Sequence, residues 1–118
     1  MSKLTSIATM ILFSLALSAT ATRAASLVMI DQRSCSYCAK FHREVEPNYS
    51  LRQEGREAPL RKVSVAASWP KDLANVKPVR FTPVFILVDR GEEVGRIYGY
   101  SNASSFWKNL KYLLSKAG

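Results

Sequence analysis

Hydrophobic positions along the chain alternate between short runs and helical spacing, and this pattern divides residues 26–116 into strands and helices. The apolar run 26–31 predicts a buried strand, because it is short, rich in β-forming residues and bounded by polar positions. We predict that Ser34 caps the helix that follows and that Pro47 bends or ends it. Apolar residues at spacings of three, four and four define one face of this helix: Cys38, Phe41, Val45 and Tyr49.

The middle of the chain predicts a second strand and then a proline-containing stretch. Residues 51–59 read as a polar connection, and residues 60–67 return to β-forming side chains. A strand, a helix and a strand in this order favour a parallel pair joined by a right-handed crossover. Between Pro70 and Pro78 we expect a short helix, since proline is tolerated in a first turn and stops a helix that precedes it.

The last third of the chain predicts a hairpin and a closing helix. Two β-forming runs, 84–88 and 93–98, flank a turn at 90–91, which is typical of an antiparallel hairpin. The order β, α, β, short α, β, β, α predicts an α/β fold in which helices flank a four-stranded mixed sheet. The closing helix begins behind a Ser101 or Asn102 cap and carries one apolar stripe: Phe106, Leu110, Leu113, Leu114 and Ala117.

The segment before the first strand has the layout of a secretory signal. Lys3 precedes an apolar run that small residues follow, as in signal peptides. A retained membrane anchor is disfavoured, because the run is nearer ten residues than the roughly 20 that a span requires. We predict that residues 1–24 are removed, with cleavage after Ala21 or Ala24, and that residues 25–118 form one domain.

The chain is basic, with 17 Lys and Arg residues against 9 Asp and Glu residues and a formal net charge of +8. Loss of Lys3 and Arg23 with the signal leaves 15 basic residues and a charge of about +6. The basic residues are dispersed and do not alternate with aromatic ones, so we expect no nucleic-acid partner. Dispersed positive charge indicates a solvated surface or a preference for an acidic partner protein. Export would allow a disulfide to persist.

Both cysteines of the chain lie in one C-x-x-C motif, as Cys35 and Cys38. Cys35 falls at the predicted helix start, where unpaired N–H groups and the helix dipole favour the thiolate, which is the reactive form. Cys38 lies one turn further on the apolar stripe. It should therefore be the more buried sulfur and the one that resolves a mixed disulfide at Cys35.

The cysteine motif and the chain as a whole allow other interpretations. A structural zinc site needs four ligands, and the chain adds only His42, which we interpret as a solvated or helix-stabilising residue. A structural disulfide across so short a loop stabilises the fold little. A soft-metal module that binds Cu(I) and a redox-inert adaptor stay open as other functions. We expect no cofactor, because the chain has neither a G-x-G-x-x-G motif nor a phosphate loop.

The stretch RFTPVF is the second informative motif. Pro83 begins a strand directly, and it pushes Thr82 toward extended geometry. A cis bond between them would bring this turn against the Cys35 helix and offer the Thr82 backbone to a peptide. Proline statistics alone favour the trans form.

These motifs together resemble the thioredoxin superfamily, over residues 26–116. The resemblance is carried by CSYC at a helix start, the Thr-Pro pair before a hairpin, the two glycines of GRIYGY and the closing helix. It implies a thioredoxin-like fold in which Cys35 is the nucleophile, Cys38 is the resolving cysteine and Pro83 is a cis-proline that faces them. It also implies substrate contacts from residues beside the pair: Ser36, Tyr37, Thr82 and Pro83.

Within that superfamily, the chain is most similar to exported thioredoxin-like proteins encoded with bacterial sulfur-oxidation (Sox) systems. The closer match is carried by LVMIDQRSCSYCAKFHREV, by FTPVFILVDRGEEVGRIYGY and by the helix with Trp107. Such proteins are thought to reduce a periplasmic sulfur carrier whose working group is a cysteine. The resemblance thus implies a periplasmic, monomeric thiol–disulfide oxidoreductase that reduces a disulfide or cysteine adduct on a partner, with electrons from a membrane thiol carrier.

The chain departs from typical thioredoxins around the motif. Ser34 stands where a tryptophan is usual, and Ser36 and Tyr37 replace Gly-Pro. The buried acid expected on the first strand, a proton acceptor during reduction, aligns with Met29, and Asp31 lies nearby. A tyrosine between the two cysteines is also found in glutaredoxins and periplasmic disulfide isomerases, which this motif resembles, so these activities are alternatives. The direction of the redox reaction stays open.

Overall fold

The computed structural model describes residues 24–118. The predicted signal covers residues 1–24, of which 1–23 lie outside the described residues. The described part has four strands: β1 (Ala25–Asp31), β2 (Leu60–Ser64), β3 (Val84–Asp89) and β4 (Glu92–Tyr98). Three α-helices and two 3-10 segments connect or follow them: α1 (Ser36–Glu44), α2 (Gln53–Glu57), α3 (Ala103–Lys116), Glu46–Leu51 and Lys71–Leu73.

The four strands form one mixed sheet in the order β2-β1-β3-β4. β1 is parallel to β2 and antiparallel to β3, and β3 is antiparallel to β4. The predicted parallel pair and hairpin are both present. Because β1 has a neighbour on each side and cover on each face, its side chains from 27 to 30 are fully buried, which explains its continuous apolar run.

Helices α1 and α3 cover one face of the sheet, and the irregular segment 65–79 covers the other. Phe41 lies in the middle of the helix-covered face, and its ring centroid is 4.7 Å from that of Phe85 and 5.1 Å from that of Phe106. The opposite face is closed by Leu73 and its neighbours in the irregular segment. The short helix predicted in this segment is a 3-10 turn of three residues.

The stretch predicted as a polar connection contains α2 instead. This helix has five residues and no side-chain cap, so sequence periodicity gives no signal for it. It is held by close packing, because a Cβ atom at Gly55 would lie 1.8 Å from the carbonyl oxygen of Tyr49. The Tyr49 hydroxyl also donates to the carbonyl of Ala58, just after the helix. Glycine is required here by the approach of the neighbouring backbone.

Local turn and cap chemistry is close to the prediction. The hairpin turn uses Arg90 (φ 52°) and Gly91 (φ 79°), and two consecutive positive φ values match the twist of the flanking strands. Asn102 caps α3, and its side chain accepts a hydrogen bond from the Ser105 N–H at 2.9 Å. α1 ends at Glu44, before Pro47, as expected.

Candidate active site

Cys35 is the N-cap residue of α1, so its sulfur lies at the unpaired N–H groups of the first turn. The backbone N–H of Cys38 donates to the Cys35 sulfur at 3.1 Å. This hydrogen bond and the positive end of the helix dipole both favour negative charge on that sulfur once the pair is reduced. The prediction that Ser34 caps the helix is wrong by one residue, because the sulfur of the next residue accepts the capping bond.

A disulfide joins Cys35 and Cys38, with the two Cα atoms 5.2 Å apart. Cys38 is 1% exposed and belongs to the same core as Phe41. Cys35 is only partly buried, so a molecule in solvent reaches it first. The prediction that Cys38 is the more buried of the two is confirmed.

The peptide bond between Thr82 and Pro83 is cis, and the turn that contains it lies against the connection between β1 and α1. Thr82 Oγ1 donates to Gln32 Oε1 at 3.2 Å, which joins the two segments. The Gly99 N–H donates to the Pro83 carbonyl at 2.8 Å, which ties the turn to the end of β4. In the described part of the chain, neither backbone group of Thr82 bonds to other backbone.

A groove of about 380 Å³ runs from Tyr37 past the Thr82–Pro83 turn to the first residues of α3. The Tyr37 side chain is 59% exposed and forms part of its wall. Three of the four predicted substrate contacts, Tyr37, Thr82 and Pro83, therefore share one groove. The fourth, Ser36, is exposed in the first turn of α1 and does not line it.

A second cleft of about 360 Å³ has Cys35 in its lining and contains a cluster of charged side chains. His42 Nε2 lies 3.0 Å from Asp31 Oδ2, and His42 Nδ1 pairs with Glu46. Lys62 bonds to the other oxygen of Glu46 at 2.5 Å. The interpretation of His42 as a solvated or helix-stabilising residue misses this cluster, which joins α1 to β1, β2 and the 3-10 segment.

Glu46 holds the negative charge at the centre of this cluster. Burial raises the pKa of Glu46, but the hydrogen bonds and charges of Lys62 and His42 outweigh that effect and hold the pKa below its ordinary value of 4.5. Glu46 is therefore ionised at neutral pH. The pairing fixes the side chain of His42 on the α1 face that also carries Cys35.

Met29 occupies the position at which the resemblance predicts a buried acid, and its side chain is fully buried in the apolar core. Asp31, two residues later, lies at the end of β1 and lines the second cleft together with Cys35. The Gln32 N–H donates to Asp31 Oδ1 at 2.8 Å, while Oδ2 faces the histidine. An acid of β1 thus shares a cleft with Cys35, although it lies two residues after the position at which the resemblance predicts it.

A family model described as a thioredoxin-like domain matches residues 16–114. The match includes both cysteines and the Thr82–Pro83 turn. The chain belongs to the thioredoxin-like family. The predicted thioredoxin-like fold, a mixed four-stranded sheet flanked by helices, is confirmed.

One solved structure similar to this thioredoxin-like chain is the periplasmic thioredoxin SoxS from Paracoccus pantotrophus, in its reduced form. The two are 37% identical with a TM-score of 0.76, and the match covers 80% of this chain and 99% of that one. This likeness confirms the predicted resemblance to thioredoxin-like proteins of Sox systems. The thioredoxin-like domain, the C-x-x-C pair and the similarity to a thioredoxin together support thiol–disulfide oxidoreductase activity.

A thioredoxin-fold protein from Helicobacter pylori shares the fold at 21% identity, with a TM-score of 0.61. That match covers 77% of this chain and 69% of the other. No curated protein matches the chain.

Membrane-spanning helices and clustered metal ligands are both absent from residues 24–118. None of the helices in that range combines the length and the apolar character that a membrane crossing needs. The same residues contain no group of three or more His, Cys, Asp or Glu side chains placed to hold a metal ion.

Proposed function

We propose that this protein is a periplasmic reductase that uses the Cys35/Cys38 dithiol to reduce a disulfide or a cysteine adduct on a partner protein. The observation that carries the proposal is the position of Cys35, which caps α1, remains accessible and is bonded to a buried Cys38. An accessible sulfur at a helix start attacks as a thiolate, and a neighbour one turn away releases the product.

The reaction proceeds in two exchanges. The Cys35 thiolate attacks one sulfur of the substrate disulfide, forms a mixed disulfide and expels the other substrate sulfur as a thiolate, which takes a proton from solvent. The Cys38 thiol then loses its proton and attacks Cys35, so that the second substrate sulfur leaves as a thiol. Two electrons pass to the substrate, and the protein is left with the Cys35–Cys38 disulfide.

An external dithiol must return the pair to its reduced form. By the same two exchanges, a donor dithiol attacks the accessible Cys35 and leaves as a disulfide. We assign this role to a membrane thiol carrier, because an exported protein is separated from cytoplasmic reductants. Asp31 or water takes the proton of Cys38; Asp31 is a candidate because it lines the cleft that contains Cys35, to which Cys38 is bonded.

The groove between Tyr37 and the Thr82–Pro83 turn is the substrate site of this proposal. Neither backbone group of Thr82 is occupied by other backbone, so an extended peptide can pair with it as an added strand does. Tyr37 supplies an exposed aromatic wall beside the disulfide. Ser36 lies outside the groove, so we assign it at most a contact at the rim of the disulfide.

Similarity to a protein described as the periplasmic thioredoxin SoxS supports export and a partner protein that carries a reactive thiol or disulfide. We infer that residues 1–24 are a cleaved signal and that the mature protein acts as a monomer in the periplasm. Its partner is a protein with a reactive cysteine, such as the carrier of a sulfur-oxidation system. No nucleic acid, metal or cofactor takes part in the reaction proposed.

Insulin reduction tests the reaction. The mature protein, with dithiothreitol as the donor, should precipitate the insulin B chain far faster than dithiothreitol alone. Cys35→Ser should lose this acceleration, whereas Ser104→Ala, an exposed change in α3, should keep it. Equal rates for the mature protein and Cys35→Ser would refute the proposal.

Glutathione-dependent reduction is a second candidate, favoured by one observation. The groove beside Tyr37 reaches the start of α3, where Ser101, just before the helix, and Ser105, in its first turn, line the far end. Its volume of about 380 Å³ suits a small peptide thiol. If this candidate is right, the protein reduces a glutathione mixed disulfide faster than a protein disulfide. Tyr37→Ala should then slow the glutathione reaction more than insulin reduction.

A further inference from the structure

A third cleft, here called the outer cleft, opens between segment 77–81 and β4 and has a volume of about 720 Å³. It lies outside the groove assigned to the substrate disulfide. Its lining combines aromatic rings, basic side chains and one internal ion pair: Lys77, Arg80, Phe81, Glu93, Arg96 and Tyr98.

Phe81 and Tyr98 stack in the wall of the outer cleft, with ring centroids 5.9 Å apart and ring planes at 27°. Their side chains are 54% and 66% exposed, so a broad apolar surface faces solvent next to the active site. Large aromatic side chains dominate the binding energy of many protein interfaces, and mutual stacking restricts their motion in advance. This pair therefore offers an ordered contact for an apolar side chain of a partner.

The charge of the outer cleft is positive. Arg96 Nε and Nη2 donate to the Glu93 carboxylate at 2.8 and 2.7 Å, and Arg96 also bonds to the backbone carbonyl of Lys77. Because this pairing neutralises Glu93, the carboxylate does not offset the charges of Lys77 and Arg80. Both side chains are exposed, and neither forms an ion pair within residues 24–118.

The outer cleft also borders the substrate groove, because Tyr98 lines both. The Arg96 bonds hold segment 77–81 against β4, just before the Thr82–Pro83 turn. A chain seated in the outer cleft thus passes over a single side chain to enter the groove beside the cysteine pair.

We propose that the outer cleft docks an acidic segment of the partner protein, with an apolar side chain on Phe81 and Tyr98 and carboxylates facing Lys77 and Arg80. This assignment rests on the proposed reductase function and names the chemistry of its partner. Charge complementarity selects an acidic segment, since the cleft presents two uncompensated cations and no free carboxylate. Docking there holds the partner's cysteine near the groove and raises the rate of the first exchange.

A binding measurement without redox chemistry tests the docking site. The probe is a fluorescent, cysteine-free peptide with four Asp or Glu residues around one Leu, and the matched peptide replaces the acids with Asn and Gln. The oxidised mature protein should bind the acidic probe about tenfold more tightly at low salt, and the preference should disappear at about 0.5 M NaCl because exposed charges are then screened.

Variants locate the site. Lys77→Glu/Arg80→Glu should abolish the preference for the acidic probe, while Lys108→Glu/Lys111→Glu makes the same change in net charge on exposed positions of α3 and should keep it. Phe81→Ser should weaken binding of both probes. Equal binding of both probes, or equal loss in the two charge variants, would overturn the docking site.

An oligonucleotide or a second copy of this chain in the outer cleft would give different results. Tighter binding of a single-stranded oligonucleotide than of the acidic probe would overturn the proposal, as would a dimer in sedimentation that Phe81→Ser dissociates. Insulin reduction by the same variants separates this proposal from the function itself. Lys108→Glu/Lys111→Glu should keep the wild-type rate, and an inactive wild type would refute the reductase function whatever the peptide measurements show.

Discussion

The backbone N–H of Cys38 donates a hydrogen bond to the sulfur of Cys35 across the first turn of α1, at 3.1 Å. One helical turn therefore determines two properties of the pair. Its free N–H groups favour the thiolate of the first cysteine, and its pitch brings the second sulfur within bonding distance. A change in the backbone of this turn alters both properties together.

We expect the pKa of Cys35 in the reduced protein to lie about one unit or more below that of a free cysteine, about 8.5, because the helix start stabilises the thiolate. A thiolate absorbance titration of Cys38→Ser measures it directly, since Cys35 is then the single thiol of the chain. The matched Cys35→Ser protein should titrate at higher pH, because its remaining thiol is buried. A Cys35 pKa at or above the free value would argue against an activated nucleophile.

The two cysteines should differ in reactivity toward solvent. Cys35 in the Cys38→Ser protein should react with Ellman's reagent at least about tenfold faster than Cys38 in the Cys35→Ser protein, because only the former is accessible and lies at the helix start. In cells, Cys38→Ser should accumulate a mixed disulfide with its substrate, and Cys35→Ser should not. Similar thiol reactivity in the two variants would contradict the assigned roles.

Glu46→Gln should change how stability depends on pH. The pKa of Glu46 is lowered in the folded protein, so its ionised form stabilises the fold above its ordinary value of 4.5, and this contribution is lost as the pH falls through the lowered pKa. The difference in unfolding free energy between wild type and Glu46→Gln should therefore be largest near pH 7 and shrink toward about pH 3.

Urea unfolding at several pH values measures this difference. Glu57→Gln is the matched control, because Glu57 is exposed and forms no ion pair in the described part of the chain. A Glu46→Gln effect of equal size at all pH values would show that its contacts with Lys62 and His42 do not depend on its charge.

Gly55→Ala should destabilise the fold by about 2 kcal/mol, since the new Cβ overlaps the Tyr49 carbonyl and the backbone has to shift. Gly118→Ala adds the same methyl group where nothing lies within 4 Å, and it should change stability by less than about 0.5 kcal/mol. Thermal unfolding of both variants makes the comparison. A wild-type melting temperature for Gly55→Ala would mean that α2 packs less closely than described.

Secondary-structure elements that are determined by their own residues could be predicted from the sequence. The turn at Arg90 and Gly91 follows from residues that tolerate positive φ between two β-forming runs, and α3 follows from its apolar stripe. α2 has no such signal, because its five residues are held in place by the approach of Gly55 to Tyr49. The predicted cap of α1, Ser34, is one residue too early, because the sulfur of Cys35 and not a serine hydroxyl accepts the capping bond.

Part of the candidate site could likewise be predicted from the sequence, and part depends on the packing of separate elements. The spacing of Cys35 and Cys38 and the sequence around Thr82 point to their chemistry without any structure. The pairing of His42 with Asp31 and Glu46 joins separate elements, so it depends on how α1 packs against the sheet. The spacing of His42 and Glu46, four residues apart, is the one sequence signal of this cluster.

The cysteine pair follows β1 after the short connection 32–34, and β1 has β2 on one side and β3 on the other. Amide hydrogens in such an interior strand exchange with heavy water only when the sheet itself opens, so we expect β1 to be among the slowest-exchanging parts of the molecule. The reactive sulfur therefore lies just beyond a strand that we expect to open only with the whole sheet. Thiol–disulfide exchange at Cys35 can then take place while the four-stranded sheet keeps its structure.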